Sequence, residues 1–430
     1  MKNIKITNAW ISQIVDDSIN PIFGDIIIEN GKITSIIEHD IANQTHHKDE
    51  NNIDAEGRVI TIPLVNFHDH IYSRLAKGLP LKGEMNSFQN ILKNLWWKLD
   101  LDLDLEMIKA STQMAVLESI RNGVTYIFDH HASPNNTLGS LSIIAETIET
   151  TGLRGVLCFE TSDRNGAKLS DFSIVENQNF FLNQQNVNIK SLFGLHASFT
   201  LSDETLKKVS SFISSNNLGV HVHLSEDISD NEISFKEFGK SPIQRLLDFE
   251  LLNNKSILAH GIYLSEDDYS ILKNSNAALA YNLDSNLNNS VGLPDFKHVP
   301  KSQTVLIGTD GMHANIARSF KQLFLQLRHL GFTFDDAFSF MIRTYFSQHK
   351  FAKHFFPDFT SLNIGDRADL IIWDYIPPTP INKDNFWGHY LYGIIERPIK
   401  TVIQNGNILM KDFTFTNIDE ANFASKIFEQ

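Results

Sequence analysis

The chain has 430 residues, 42% of them hydrophobic and 20% charged, so a sizeable core can form and wholesale disorder is excluded. Its 37 Lys+Arg against 51 Asp+Glu leave a net charge of −14, and no basic patch of the kind nucleic acid demands is evident. The single cysteine, Cys158, excludes an internal disulfide and a cysteine-built zinc cage, and with no apolar run of about 18–20 residues to cross a membrane and no secretory signal pattern, a soluble cytoplasmic protein is expected.

From the N-terminus, GDIIIENGKITSIIE places two apolar runs around Asn30-Gly31, and near the other end KTVIQNGNILMKDF repeats the arrangement around Asn405-Gly406. Asn-Gly between such runs is a hairpin signal, because both turn residues must take positive φ. RADLIIWDY adds a strand at 367–375. Residues 1–58 and 360–430 are therefore expected to build one small composite β-sandwich domain. The polar stretch that carries His46 and His47 reads as a solvated loop.

Between the two ends, short apolar runs at 60–67, 124–128, 155–159, 191–195, 218–222, 256–259, 277–281 and 304–308 alternate with helix-like stretches such as 104–121, 137–151, 203–213, 241–252 and 265–273. Further helices are expected over 315–330 and 334–346. Such runs read as parallel strands buried on both faces, and eight of them close a (β/α)8 TIM-type barrel, here spanning 59–359.

Active sites of such barrels lie at the C-terminal ends of the strands. There the sequence sets His68-Asp69-His70, His196, His221-Val222-His223 with Glu226 close behind, His260, and Asp310. Residues two apart on a strand point to the same side, so His68 and His70 can meet one ion. A third imidazole from His223 and a carboxylate from Asp310 complete a plausible ligand set, with a position left for water. Asp69 should face the barrel wall, where a neutral residue would be easier to bury. His196, His131, Asn282, Asn286 and Trp97 are candidate substrate contacts. Of the adjacent pair His130 and His131, at most one should face the site.

IPLVNFHDHIYSRLAKGLP, HVHLSED, LAHGIYLSEDD, NLDSNLNNSVGLPD and GTDGMHAN resemble, in order and over nearly the full chain, the blocks of the amidohydrolase superfamily and its deaminase/chlorohydrolase-like branch. ILKNLWWKLDLDL, FDHHASP, GLHASFTLSD and SNLNNSVG are similar to the SsnA-type aminohydrolases within it. The resemblance implies the ligands His68, His70, His223 and Asp310, with Glu226 as proton shuttle and with His260 and Asp310 handling the proton of the attacking water. Leu64 and Asp69 depart from the usual first-strand block. Binuclear members carry a modified lysine at the end of the fourth strand, where this chain has His196, so one divalent ion per chain is expected, with zinc favoured over iron or manganese.

The expected reaction is hydrolytic deamination of a purine-, pyrimidine- or triazine-like amine with release of ammonia. Hydrolysis of another C–N or C–Cl bond on a similar ring is the alternative, and a non-catalytic metal-binding barrel the third reading. A small heterocyclic substrate is the expected partner, and a homodimer is the family-level expectation.

Overall fold

The structure is a computed structural model that describes residues 3–43, 52–80 and 82–429. The expected His46–His47 loop lies outside these residues. Among the described residues, no helix is long and apolar enough to cross a membrane.

Strands from both ends of the chain share one sheet. Ile4–Val15, Ser18–Glu29 and Lys32–Glu38 form an antiparallel meander, and Leu370–Trp373, Ile399–Gln404, Asn407–Lys411 and Thr414–Phe415 form another. Asn30 and Gly31 take φ of 52° and 77°, and Asn405 and Gly406 take 51° and 68°, which is the hairpin geometry their sequence demands. Val59–Thr61 joins the two meanders, pairing with Trp10 and Ile11 on one side and with Ile371 and Ile372 on the other. In its hydrogen bonding the expected sandwich is thus a single nine-stranded sheet.

The apolar run at 60–67 reads as one strand in the sequence, but the structure divides it. Val59–Thr61 lies in the composite sheet, and the next strand begins at Leu64. Pro63 stands between them and has no N–H to give to a ladder, so the chain changes sheets there.

Among the described residues eight parallel barrel strands follow, the fourth preceded by a short parallel strand at Ile189–Ser191: β1 (Leu64–Asp69), β2 (Val124–His131), β3 (Arg154–Phe159), β4 (Phe193–Ala197), β5 (Val220–Leu224), β6 (Ile257–His260), β7 (Ala278–Tyr281) and β8 (Val305–Ile307). Every residue in these eight is buried, as strands covered on both faces require. The ladder runs in two arcs. One seam between the arcs is closed by Thr161, whose N–H reaches Gly194 O at 3.0 Å. At the other, the N–H groups of Thr309 and Asp310 both donate to His68 O at 2.9 Å. Gly308 permits that approach, because a Cβ there would stand 2.6 Å from the Cβ of His68. This second seam sets Asp310 beside His68.

Asp69 is buried in the barrel wall, yet its charge is matched. Arg74, equally buried, pairs with both carboxylate oxygens, with Nη2 at 2.9 Å from Oδ2, and Asn66 Nδ2 donates to the same oxygen at 2.9 Å. Arg74→Met should therefore destabilise the protein by about 3–5 kcal/mol, because it strands a buried carboxylate. Arg74→Met with Asp69→Asn should recover most of that loss, since no charge is then left unpaired. Thermal unfolding of the two variants checks this; equal melting temperatures for the single variant and the wild type would contradict it.

Candidate metal centre and active site

Three imidazoles and one carboxylate converge at the C-terminal mouth of the barrel. His68 and His70 leave β1 on the same face, His223 comes from β5, and Asp310 follows β8. Their donor atoms all lie within 4.8 Å of one another. His70 Nδ1 stands 2.7 Å from His130 O and donates to it, and His223 Nδ1 donates to His196 O at 2.9 Å. Those bonds place both ring protons on Nδ1 and leave both Nε2 lone pairs facing inward, 3.1 Å apart. Asp310 Oδ1 sits 3.2 Å from His70 Nε2, and the buried Nε2 of His68 has no hydrogen-bond partner among the described residues.

Lone pairs and a carboxylate so close together repel unless a cation lies among them. Donors held about 2.0–2.2 Å from one ion stand at such separations, so the four residues fit a divalent metal. Burial and the neighbouring imidazoles hold His68 and His223 well below the usual histidine range, in the neutral form that a metal ligand requires.

Beside this cluster stand Glu226 and His260. Glu226 Oε2 is 3.5 Å from His260 Nε2, and Asp310 Oδ2 is 3.9 Å from the same nitrogen. Burial first, then the charges of Asp310 and Asp230, push the Glu226 carboxyl well above its usual range. Burial works the same way on Asp310, but there His70, His260 and a 2.5 Å hydrogen bond donated by Ser285 prevail and hold its carboxyl down. Two neighbouring carboxyls are thereby shifted in opposite directions, the pattern that separates an acid from a base. Ser225, His260 and Asp310 all take left-handed φ, of 47°, 72° and 53°. Backbone strain of that kind collects where strand ends are turned to aim side chains.

The cluster opens into a cavity at the barrel mouth. Trp97 and His196 line it, together with Tyr72, Phe88, Trp96 and Phe199. Asn282 and Asn286 do not line it and are corrected from substrate contacts to partners of His260. Asn286 Oδ1 accepts from His260 Nδ1 at 2.8 Å, and Asn282 Nδ2 lies 3.3 Å from His260 Nε2. His131 is corrected as well. Its ring packs against Tyr72 and Phe159, away from the cavity, whereas the His130 ring lies among those of His68, His70 and His223.

Sequence reasoning passes over the far wall of the cavity, where Arg164 pairs with both Glu160 and Asp100, the latter at 2.8 Å. Two buried carboxyls share one guanidinium. Burial works against the charge of both. Arg164 outweighs it at Glu160, which is held well down, whereas Asp100, pushed up by burial and by Glu160, reaches about 8. Glu160 directly follows β3, so the strand-end rule that picks out the other site residues applies to it equally.

The sequence profile described as the amidohydrolase family matches residues 59–410. The chain belongs to that family. It falls in the deaminase/chlorohydrolase-like branch, and its barrel with a β-sheet module from both termini is the amidohydrolase fold. A 5'-deoxyadenosine deaminase of Methanosarcina barkeri (strain Fusaro / DSM 804) is 27% identical over 431 residues, covering 98% of this chain and 95% of that protein. Among solved structures, an adenosine deaminase from Xanthomonas campestris with bound zinc superposes with a TM-score of 0.82 at 17% identity, over 99% of this chain and 97% of its own. Atrazine chlorohydrolase from Arthrobacter aurescens TC1, complexed with zinc, gives 0.81 at 17% identity over 99% of each chain. At such identities the two structures speak to the fold of this amidohydrolase alone.

Proposed function

We propose that this amidohydrolase is a metal-dependent aminohydrolase that removes the amino group of a purine-like heterocycle as ammonia. The observation that carries the reading is Glu226: a buried carboxyl 3.5 Å from His260 Nε2, shifted upward by burial and by Asp310 and Asp230, set beside the four-residue metal cluster without belonging to it. The full-length likeness to a 5'-deoxyadenosine deaminase supports a purine nucleoside over other rings. The SsnA-like blocks support the narrower placement among the SsnA-type aminohydrolases.

His68, His70, His223 and Asp310 would hold one divalent ion, and zinc is favoured because three imidazole nitrogens and one carboxylate oxygen are donors it accepts. No lysine lines the cavity among the described residues, and Lys190 lies in Ile189–Ser191, ahead of β4, so nothing there offers the modified lysine of a second-metal site. A bound ion would supply Lewis acidity, bringing the pKa of water from ~15.7 toward ~7.

The chain's own groups then divide the proton transfers. Asp310 and His260 take the proton of the attacking water at Oδ2 and Nε2. Glu226 gives its proton to the ring nitrogen beside the attacked carbon, takes up the proton of the added hydroxyl and hands it to the departing amine, and is reset by the proton held at Asp310 and His260. Trp96, Trp97 and Phe199 offer flat apolar walls for a ring.

The test is a panel of amino-substituted purines, purine nucleosides, pterins and triazines, with one chlorotriazine, scored for ammonia and chloride beside metal content. Ammonia from a purine is the expected result. Chloride without ammonia would make the protein a chlorohydrolase, and bound metal with no turnover on any member would leave a metal-binding scaffold.

A further inference from the structure

The three ligand histidines are not held alike. His70 and His223 each donate an outer N–H to a backbone carbonyl, an acceptor that cannot change its role. His68 has no such carbonyl. Its Nδ1 meets the Nε2 of His221, a fully buried imidazole two residues before His223, at 2.8 Å. One nitrogen of that contact must donate and the other accept. If His221 donated, the proton of His68 would sit on Nε2, the atom that faces Asp310 Oδ1 at 3.8 Å, and His68 could not bind an ion. A ligating His68 therefore requires His221 to carry its own proton on Nδ1. That atom is buried and has no partner among the described residues. A residue that served packing alone would be apolar here and would leave no N–H stranded.

We propose that His221 is a positioning residue, which fixes the tautomer and aim of His68 by accepting its Nδ1 proton. The proposal rests on the metal-site reading above.

Its test is Co2+ affinity, measured by chelator competition, together with the visible absorption of the bound Co2+. Wild-type protein that bound no Co2+ would overturn the metal site itself and this proposal with it. Given wild-type binding, His221→Phe keeps a flat ring but no acceptor, and should lose about 10–100-fold in affinity with an altered spectrum. His221→Gln sets a carbonyl oxygen where Nε2 stands and should return both readings toward wild type. His221→Asn carries its oxygen too short of His68 and should resemble the Phe variant. Should the Phe variant not fold, the contrast between Gln and Asn decides. Wild-type affinity and spectrum in the Phe variant, or equal losses in Gln and Asn, would overturn the assignment.

Discussion

Glu226→Gln is expected to keep its metal and its fold and to lose about 10²–10⁴-fold in kcat, the usual worth of a general acid–base group. The amide keeps the shape and the hydrogen bonding of the carboxyl but cannot take up and release a proton. Glu226 stands outside the four-residue ligand cluster, so the ion should remain. Burial, with Asp310 and Asp230, shifts the carboxyl upward, toward the protonated form a general acid needs, and removing its proton should slow the chemical step more than it weakens binding. KM should change little unless the carboxyl also binds the ring nitrogen of the ground state. The measurement is kcat beside metal content on the substrate that the panel yields. A variant that lost its metal would make Glu226 a ligand. Wild-type turnover would move proton transfer to His260 or Asp310 and remove the main reason to prefer an amine as leaving group.

His68→Ala should fall from about one ion per chain to little retained metal after dialysis, because the three remaining protein donors leave the ion under-coordinated. The loss should exceed that of any change in the residues behind the cluster, which only aim the donors. Elemental analysis checks the expectation. Unchanged metal content, or two tightly held ions in the wild type, would contradict the ligand set.

The barrel is legible in the sequence because strands covered on both faces must be apolar throughout, and because a strand's polar residues then collect where it ends. That is why His68, His70, His223, His260 and Asp310 stand out. Alternation says that His130 and His131 face opposite ways, but not which one faces inward, since that depends on a register only the neighbouring strands fix. The helix Ala167–Asn183 is absent from the apolar periodicity because much of its buried side is polar: Ser170, Ser173, Glu176 and Asn177. Glu176 accepts from the N–H groups of Gly139 and Leu141 at the start of the next helix back, and Asn177 bonds the backbone of Phe159. Asp69 reads as an awkward burial until its partner is known, and Arg74, one turn later, looks in the sequence like any exposed arginine.

The seam at Val59–Thr61 bears on how the chain folds as it is made. That strand lies between Ile4–Val15, already synthesised, and Leu370–Trp373, which emerges some three hundred residues later. At about 5–20 residues per second, the open edge waits roughly 15–60 s for its neighbour. The edge offers Ile60 and Thr61, both buried in the finished sheet. An unpaired edge is a template for another chain, so nascent copies on one message are at risk of pairing with each other before the C-terminal strands arrive.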